Sequence, residues 1–189
     1  GDGGNTYPGT GARGGTGVIN QRLITVTAVT DTKTYDGSTS SAGVPTITVG
    51  SLAPVGGDTA AFTQAFDTRN AGVGKTLTPT GSVTDGNGGN TYLVPLAAAG
   101  TGVITTAPLT VTANDASKVF GQVLVFAGTE FMSSGLVAGE AIGSVTLTSA
   151  GAAAAATVAG SPYAINPSAA VGGTFAASNY TITYQPGLL

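Results

Sequence analysis

The sequence predicts a mostly β protein, made of tandem small antiparallel domains of sandwich-like character with little helix. Three observations carry that prediction. Threonine and apolar residues alternate in short runs, the pattern of strands with one buried face. Clusters of Gly, Asp, Asn and Pro separate those runs, and these residues favour tight turns for backbone reasons. Finally, the chain matches itself when shifted by 85 residues.

The shift pairs Gly4-Asn5-Thr6-Tyr7 with Gly89-Asn90-Thr91-Tyr92, and Thr16-Gly17-Val18-Ile19 with Thr101-Gly102-Val103-Ile104. In the same register Ile24-Thr25-Val26-Thr27-Ala28 pairs with Leu109-Thr110-Val111-Thr112-Ala113, Lys33 with Lys118, and Tyr35 with Phe120. A third echo, Asn179-Tyr180-Thr181-Ile182-Thr183-Tyr184, follows at a slightly longer offset. The repeat divides the chain into residues 1–20, read as the closing strands of a preceding unit or a donor segment, one whole unit at 21–105, and a second at 106–189. Each unit is long enough to bury a core without disulfides, which becomes difficult only below about 40 residues.

Within the units, Leu23 to Ala28 and Leu109 to Ala113 alternate Thr with aliphatic residues and read as opening strands. Further strands are expected at Thr46 to Val49, Ala61 to Phe66, Lys75 to Thr80, Val123 to Phe126, Ser144 to Thr148 and Tyr180 to Tyr184. Tyr35-Asp36-Gly37-Ser38 and Asp85-Gly86-Asn87-Gly88-Gly89 are turns. The alanines from Ala152 to Ala156 are too few for a free-standing helix, which needs about 12 residues. At most one or two short helical turns per unit are expected.

Composition removes most chemistry. The chain has 31 Gly and as many Thr, only 8% charged residues, and no His, Cys or Trp. That excludes imidazole bases, thiolate nucleophiles, and the usual zinc, haem and iron-sulfur sites. Six basic residues, scattered singly within a net charge of −3, offer no nucleic-acid surface and no polybasic membrane patch. No uninterrupted run of about 20 apolar residues suggests a spanning helix. Gly1-Asp2-Gly3-Gly4 lacks the basic start and apolar stretch of a signal peptide, so the chain is expected to be an internal excerpt.

Several motifs bear weighing. Gly9-Thr10-Gly11-Ala12-Arg13-Gly14 fits a dinucleotide-binding pattern, but Gly15-Thr16-Gly17 cannot open the helix that pattern needs. Arg69 to Thr76 ends like a phosphate-binding loop yet starts with Arg where Gly is required. Asp85, Asn87 and Asn90 are the candidate calcium ligands, although a hairpin turn wants the same residues. The carboxylate pairs Asp31 with Asp36, Asp58 with Asp67, and Glu130 with Glu140 are the remaining route to catalysis. All lie in turn-like contexts, and solvated turn residues explain them. Lys33, Lys75 and Lys118 are the candidates for an intramolecular isopeptide crosslink. Tyr7, Tyr35, Tyr92, Phe120 and Tyr180 recur at matched positions, which fits core packing better than ligand stacking.

Leu23-Ile24-Thr25-Val26-Thr27-Ala28, Asp31-Thr32-Lys33-Thr34-Tyr35-Asp36-Gly37-Ser38, Gly50-Ser51-Leu52, Gly57-Asp58 and Asn70-Ala71-Gly72-Val73-Gly74-Lys75 together resemble the YDG repeat of large bacterial surface proteins. Leu109 to Gly121, Ser134-Gly135-Leu136-Val137-Ala138-Gly139-Glu140 and Ser178 to Tyr184 are similar to the companion MBG repeat. The resemblance covers nearly all of residues 21–189 and implies mostly β, grasp-like units. It also implies the tandem arrays of filamentous-haemagglutinin-like adhesins, secreted or displayed on the outer surface of Gram-negative bacteria, with no catalytic residues to transfer. Phe120-Gly121-Gln122 departs from the Tyr-Gly-Asp-like turn of that pattern, so no acidic turn function is expected there.

The expectation is therefore a structural, non-enzymatic segment of an adhesin or extracellular fibre, acting as a spacer or filament-building module. It would have no catalytic or cofactor site. Its partners would be neighbouring repeats, copies of the same chain, or a host or matrix surface, and not nucleic acid or a membrane interior. Residues 1–20 could complete the sheet of a neighbouring molecule and so drive head-to-tail strand addition. The alternative is a ligand-binding module for glycans or matrix proteins, with calcium as an aid.

Overall fold

The computed structural model describes residues 18–53 and 57–189. The first unit opens with β1 (Arg22–Leu23) and β2 (Thr25–Thr27), followed by β3 (Thr32–Thr34) and β4 (Thr46–Val49). A hairpin of β5 (Thr59–Phe66) and β6 (Gly72–Thr84) leads to β7 (Tyr92–Leu93), β8 (Leu96–Ala97) and β9 (Ala99–Thr105). The second unit contains β10 (Ala107–Ala113), β11 (Phe131–Ser134), β12 (Ile142–Thr148), β13 (Ala164–Gly173), β14 (Tyr180–Gln185) and β15 (Gly187–Leu188). Thr106 alone separates β9 from β10, and its hydroxyl is hydrogen-bonded to that of Thr181 at 2.6 Å.

The fold is mostly β, and both units follow one plan. The opening strand sits between an antiparallel second strand and a parallel late strand. In the first unit β2 pairs with β4 and β8, and in the second β10 pairs with β11 and β14. A second sheet is built on a long hairpin, β5 with β6 and β12 with β13, joined by the strands β9 and β15 that close each unit. The registers Arg22↔Tyr92 and Ala107↔Tyr180 show that Tyr92 and Tyr180 are equivalent, because Arg22 and Ala107 are one repeat apart.

The sheets are mixed rather than purely antiparallel. Parallel partners need a long crossover, and here they lie at opposite ends of a unit, beyond the reach of turn signals. Residues Val123 to Phe126, expected as a strand, form no ladder; the N–H of Leu124 bonds instead to the carbonyl of Ala152 at 2.9 Å. Among the described residues helix is limited to three 3-10 turns, Ala150–Ala152, Val158–Gly160 and Ala177–Asn179, all in the second unit. That is one more than expected. No described helix is long and apolar enough to cross a membrane.

The threonines pair across strands on exposed sheet surfaces, as Thr27 with Thr48 and Thr63 with Thr80. Such pairs stabilise a half-solvated sheet. The cores behave differently from the two separate ones that the repeat suggests. Ile24, Val83 and Tyr92 form a small cluster within the first unit. Tyr35, Phe66, Leu77 and Ile104 of the same unit belong to one buried cluster with Leu109, Val145, Ile165 and Tyr180 of the second. Apolar burial therefore runs across the unit boundary.

Candidate functional site at the junction of the units

The turn Tyr35-Asp36-Gly37-Ser38 follows β3 and is built by its own side chains. Gly37 has φ +77°, a left-handed conformation that glycine adopts without penalty. The Asp36 carboxylate accepts the N–H of Ser38 at 2.9 Å and pairs with the Lys33 ammonium at 2.8 Å. That hydrogen bond from Lys33, helped by those from Ser38, holds the Asp36 carboxyl below its ordinary value. Lys33 also donates to the Ser38 carbonyl at 2.8 Å. Lys118 has the equivalent task in the second unit, donating to the carbonyl of Gln122 at 2.9 Å.

The turn aims Tyr35 across the boundary. Its hydroxyl donates to Glu140 Oε1 at 2.5 Å, and the other carboxylate oxygen accepts the hydroxyl of Tyr180 at 2.6 Å. The two rings meet edge to face with centroids 5.5 Å apart. Tyr180 in turn accepts the N–H of Val137 at 3.0 Å. Burial, with the adjacent Glu140 acceptor, pushes Tyr180 up to about 12, and the same causes raise Tyr35. Beside this triad, Asn179 is buried: its Oδ1 accepts the N–H of Ala71 at 3.0 Å and its Nδ2 donates to Asn70 Oδ1 at 3.2 Å. Asn70 and Ala71 belong to the first unit, so a second polar contact crosses the boundary.

The first unit repeats half of this arrangement internally. Tyr92 donates to Asp58 Oδ2 at 2.5 Å and accepts the N–H of Ala53 at 2.7 Å, as Tyr180 does with Glu140 and Val137. Each unit thus carries a tyrosine and carboxylate pair, and in the second unit Tyr35 adds a third member from the unit before. The repeat pointed to these tyrosines as core residues, and Tyr35, Tyr92 and Tyr180 are indeed buried. Their hydroxyl partners were not legible, because acid and tyrosine lie 34 to 105 positions apart. Phe120 is not a core residue. It is 64% exposed where Tyr35 is 3% exposed: Tyr35 packs against Tyr180 and bonds Glu140 of the second unit, whereas Phe120 lines a cleft with Lys118, Val158 and Tyr163.

The other candidate residues are dispersed. Asp31 accepts bonds from the Ser41 hydroxyl and the N–H of Ala42, and the Ser41 bond leads in lowering its carboxyl. Asp67 accepts the N–H of Thr68 at 2.8 Å. Glu130 accepts those of Ala127, Gly128 and Thr129, with the Ala127 bond first in lowering it. The three acidic pairs thus hold separate turns or the junction. Asp85 takes the N–H groups of Asn87, Gly89 and Thr91, each at 2.8 Å, and its carboxyl is held well below the usual range by bonds from Thr91, Gly89 and Asn87. Asn90 Nδ2 donates to the Asn87 carbonyl at 2.9 Å, so Asp85, Asn87 and Asn90 serve their own turn. Among the described residues no three acidic side chains cluster as metal ligands.

Lys75 donates to Thr68 Oγ1 at 2.6 Å; the hydrogen bonds of Lys33, Lys75 and Lys118 go to Asp, Ser, Thr and carbonyl oxygens, not to an Asn side chain. Arg69 to Thr76 runs through a turn into β6, not into a helix. Tyr7 and the Gly9 to Gly14 motif, with the rest of residues 1–17 of the leading segment, lie outside the described residues.

No curated protein and no solved structure matches the chain. Residues 20–100 match the family model of the YDG domain, and residues 109–189 that of the MBG domain (YGX type). The chain therefore carries, in tandem, a YDG domain at residues 20–100 and an MBG domain of the YGX type at residues 109–189.

Proposed function

We propose that the chain is a non-enzymatic spacer segment of a secreted bacterial surface protein, an adhesin or extracellular fibre, whose consecutive units transmit position and load. The observation that carries this reading is the junction. One residue, Thr106, connects two units whose apolar burial is continuous, and Tyr35 and Asn179 bind across the boundary. Domains linked by small polar interfaces move relative to one another by default, whereas a buried apolar interface suppresses that motion. A strand of 13 residues such as β6 spans about 40 Å, so stacked units of this size project far from a surface.

Small-angle X-ray scattering of the chain tests the reading, together with binding to glycan and matrix-protein arrays. A spacer gives one rigid two-unit particle and no array binding. A broad ensemble of bent forms, or clear binding to an array ligand, overturns it.

A further inference from the structure

We infer that Asn87 is a self-modification site: the backbone nitrogen of Gly88 displaces its side-chain amide, and the turn between β6 and β7 thereby gains a carboxylate. This chemistry needs no partner and is independent of the spacer reading.

Asn87 precedes Gly88, and no other Asn in the chain precedes a Gly. Glycine has no β-carbon to shield its backbone nitrogen from the preceding side chain. Both residues are exposed. Asp85 Oδ1 accepts the N–H of Asn87 and the N–H of Gly89, each at 2.8 Å, and passes over the N–H between them. Among the described residues the Gly88 N–H has no acceptor, and the Asn87 side chain makes no hydrogen bond; only its backbone carbonyl is engaged, by Asn90. The attacking nitrogen and the amide carbon are thus adjacent in the chain, in water and uncommitted. Other asparagines lack this combination. Asn179 is 1% exposed with its side chain bonded at both ends, Asn90 precedes the β-branched Thr91, and Asn166 precedes Pro167, which has no N–H to lose.

The step balances with water alone. The Gly88 nitrogen gives up its proton to solvent and bonds to Asn87 Cγ; the Cγ–Nδ2 bond breaks, and the nitrogen leaves as ammonia with a proton returned from solvent. The cyclic imide so formed takes up one water. Opening at Cγ gives aspartate, and opening at the backbone carbonyl gives isoaspartate, whose main chain runs through Cγ. Ammonia out and water in raise the mass by about 1 Da. Isoaspartate lengthens the chain between the two N–H groups that Asp85 Oδ1 holds, and either product places a second negative charge near Asp85. The turn should therefore loosen as the chain ages.

The whole chain is incubated at 37 °C at pH 7 and pH 9, folded and in urea, then mapped by mass spectrometry with detection of isoaspartate. The gain in mass is expected at Asn87 ahead of Asn70, Asn90 and Asn114, faster at pH 9 because the attacking nitrogen must lose its proton, and at similar rates folded and in urea. Gly88→Ala should slow it in urea as well as in the folded chain, which separates shielding of the nitrogen from strain at φ +66°. Asn87→Gln, which cannot close the same ring, should show no gain at that position. Conversion in urea but not in the folded chain overturns the inference, as does a rate no greater than that of Asn90 or one that Gly88→Ala leaves unchanged. The modified fraction, separated by ion exchange, should melt below the intact chain; coincident melts reject the loosening.

Discussion

Tyr35 of the first unit donates its hydroxyl hydrogen to Glu140 of the second at 2.5 Å, 105 positions away in the chain. Glu140 accepts Tyr180 with its other oxygen, so one carboxylate joins two tyrosines from two units. Hydrogen bonds to a charged acceptor contribute about 1.5–3 kcal/mol each, more than neutral ones. Tyr35→Phe is therefore expected to lower stability by about 1–3 kcal/mol, and Glu140→Gln by a similar amount. A double-mutant cycle should give a coupling near 1 kcal/mol, since the residues touch. Additive effects in urea titrations would show that the hydroxyl does not bind the units together.

The same contact sets an alkaline limit. The ordinary tyrosine value is 10.0, and in the folded chain burial and Glu140 push Tyr180 up to about 12. A raised folded value means that stability is complete below pH 10 and declines as pH rises toward 12, because the unfolded chain loses its proton first. Urea titrations at pH 8, 10 and 11.5 should show this fall, and Tyr180→Phe should flatten it. A slope unchanged in Tyr180→Phe and in Tyr35→Phe would place its origin elsewhere.

Acid acts on different residues. Asp31 is lowered chiefly by the Ser41 hydroxyl, Asp36 chiefly by Lys33, and Glu130 chiefly by the N–H of Ala127. Depressed folded values mean that their contribution is present above about pH 4, the ordinary carboxylate range, and is lost as pH falls below it. Stability should thus drop between about pH 4 and 2. Asp31→Asn should remove part of that drop while lowering the plateau at pH 7.

Calcium is expected to leave the melting temperature unchanged. Both oxygens of Asp85 already accept backbone N–H groups of their own turn, and among the described residues no three acidic side chains are grouped to hold a cation. Melts in calcium and in EDTA should coincide, whereas Asp85→Ala should lower the midpoint by about 2–4 °C for each kcal/mol lost. A rise with calcium that Asp85→Ala abolishes would assign the turn to metal binding after all.

Much of this architecture was legible in the sequence because alternation and turn residues are local signals. Thr46 to Val49 is strand β4, and Ser144 to Thr148 lies within β12. Val123 to Phe126 carries the same apolar character, yet finds no strand partner, and pattern alone cannot supply one. The pairing of Ala107 with Tyr180 was invisible for a related reason: a parallel partner at the other end of a unit leaves no turn between the two strands. The repeat found the tyrosines of the site. It could not find Glu140 as their common acceptor, nor the role of Asn179, since both depend on how the second unit sits on the first.

The repeat also extends to two glycines that the register makes equivalent. Gly50 has φ +76° and Gly135 φ +104°, and each follows the strand that lies beside its unit's opening strand. A β-carbon on Gly50 would lie 2.3 Å from the carbonyl oxygen of Leu23, and one on Gly135 2.4 Å from that of Pro108. Leu23 and Pro108 are themselves one repeat apart, so the same close approach is built twice. Gly139 provides the comparison: its φ is +85°, but a β-carbon there meets open space. Gly139→Ala should cost about 1–2 kcal/mol, the penalty for a left-handed alanine. Gly50→Ala and Gly135→Ala bear that penalty and a backbone clash that no rotamer relieves, so each should cost about 3 kcal/mol or more. Denaturant titrations of the three variants decide the matter: if Gly135→Ala is no worse than Gly139→Ala, the opening strand does not pass as closely as the shared geometry requires.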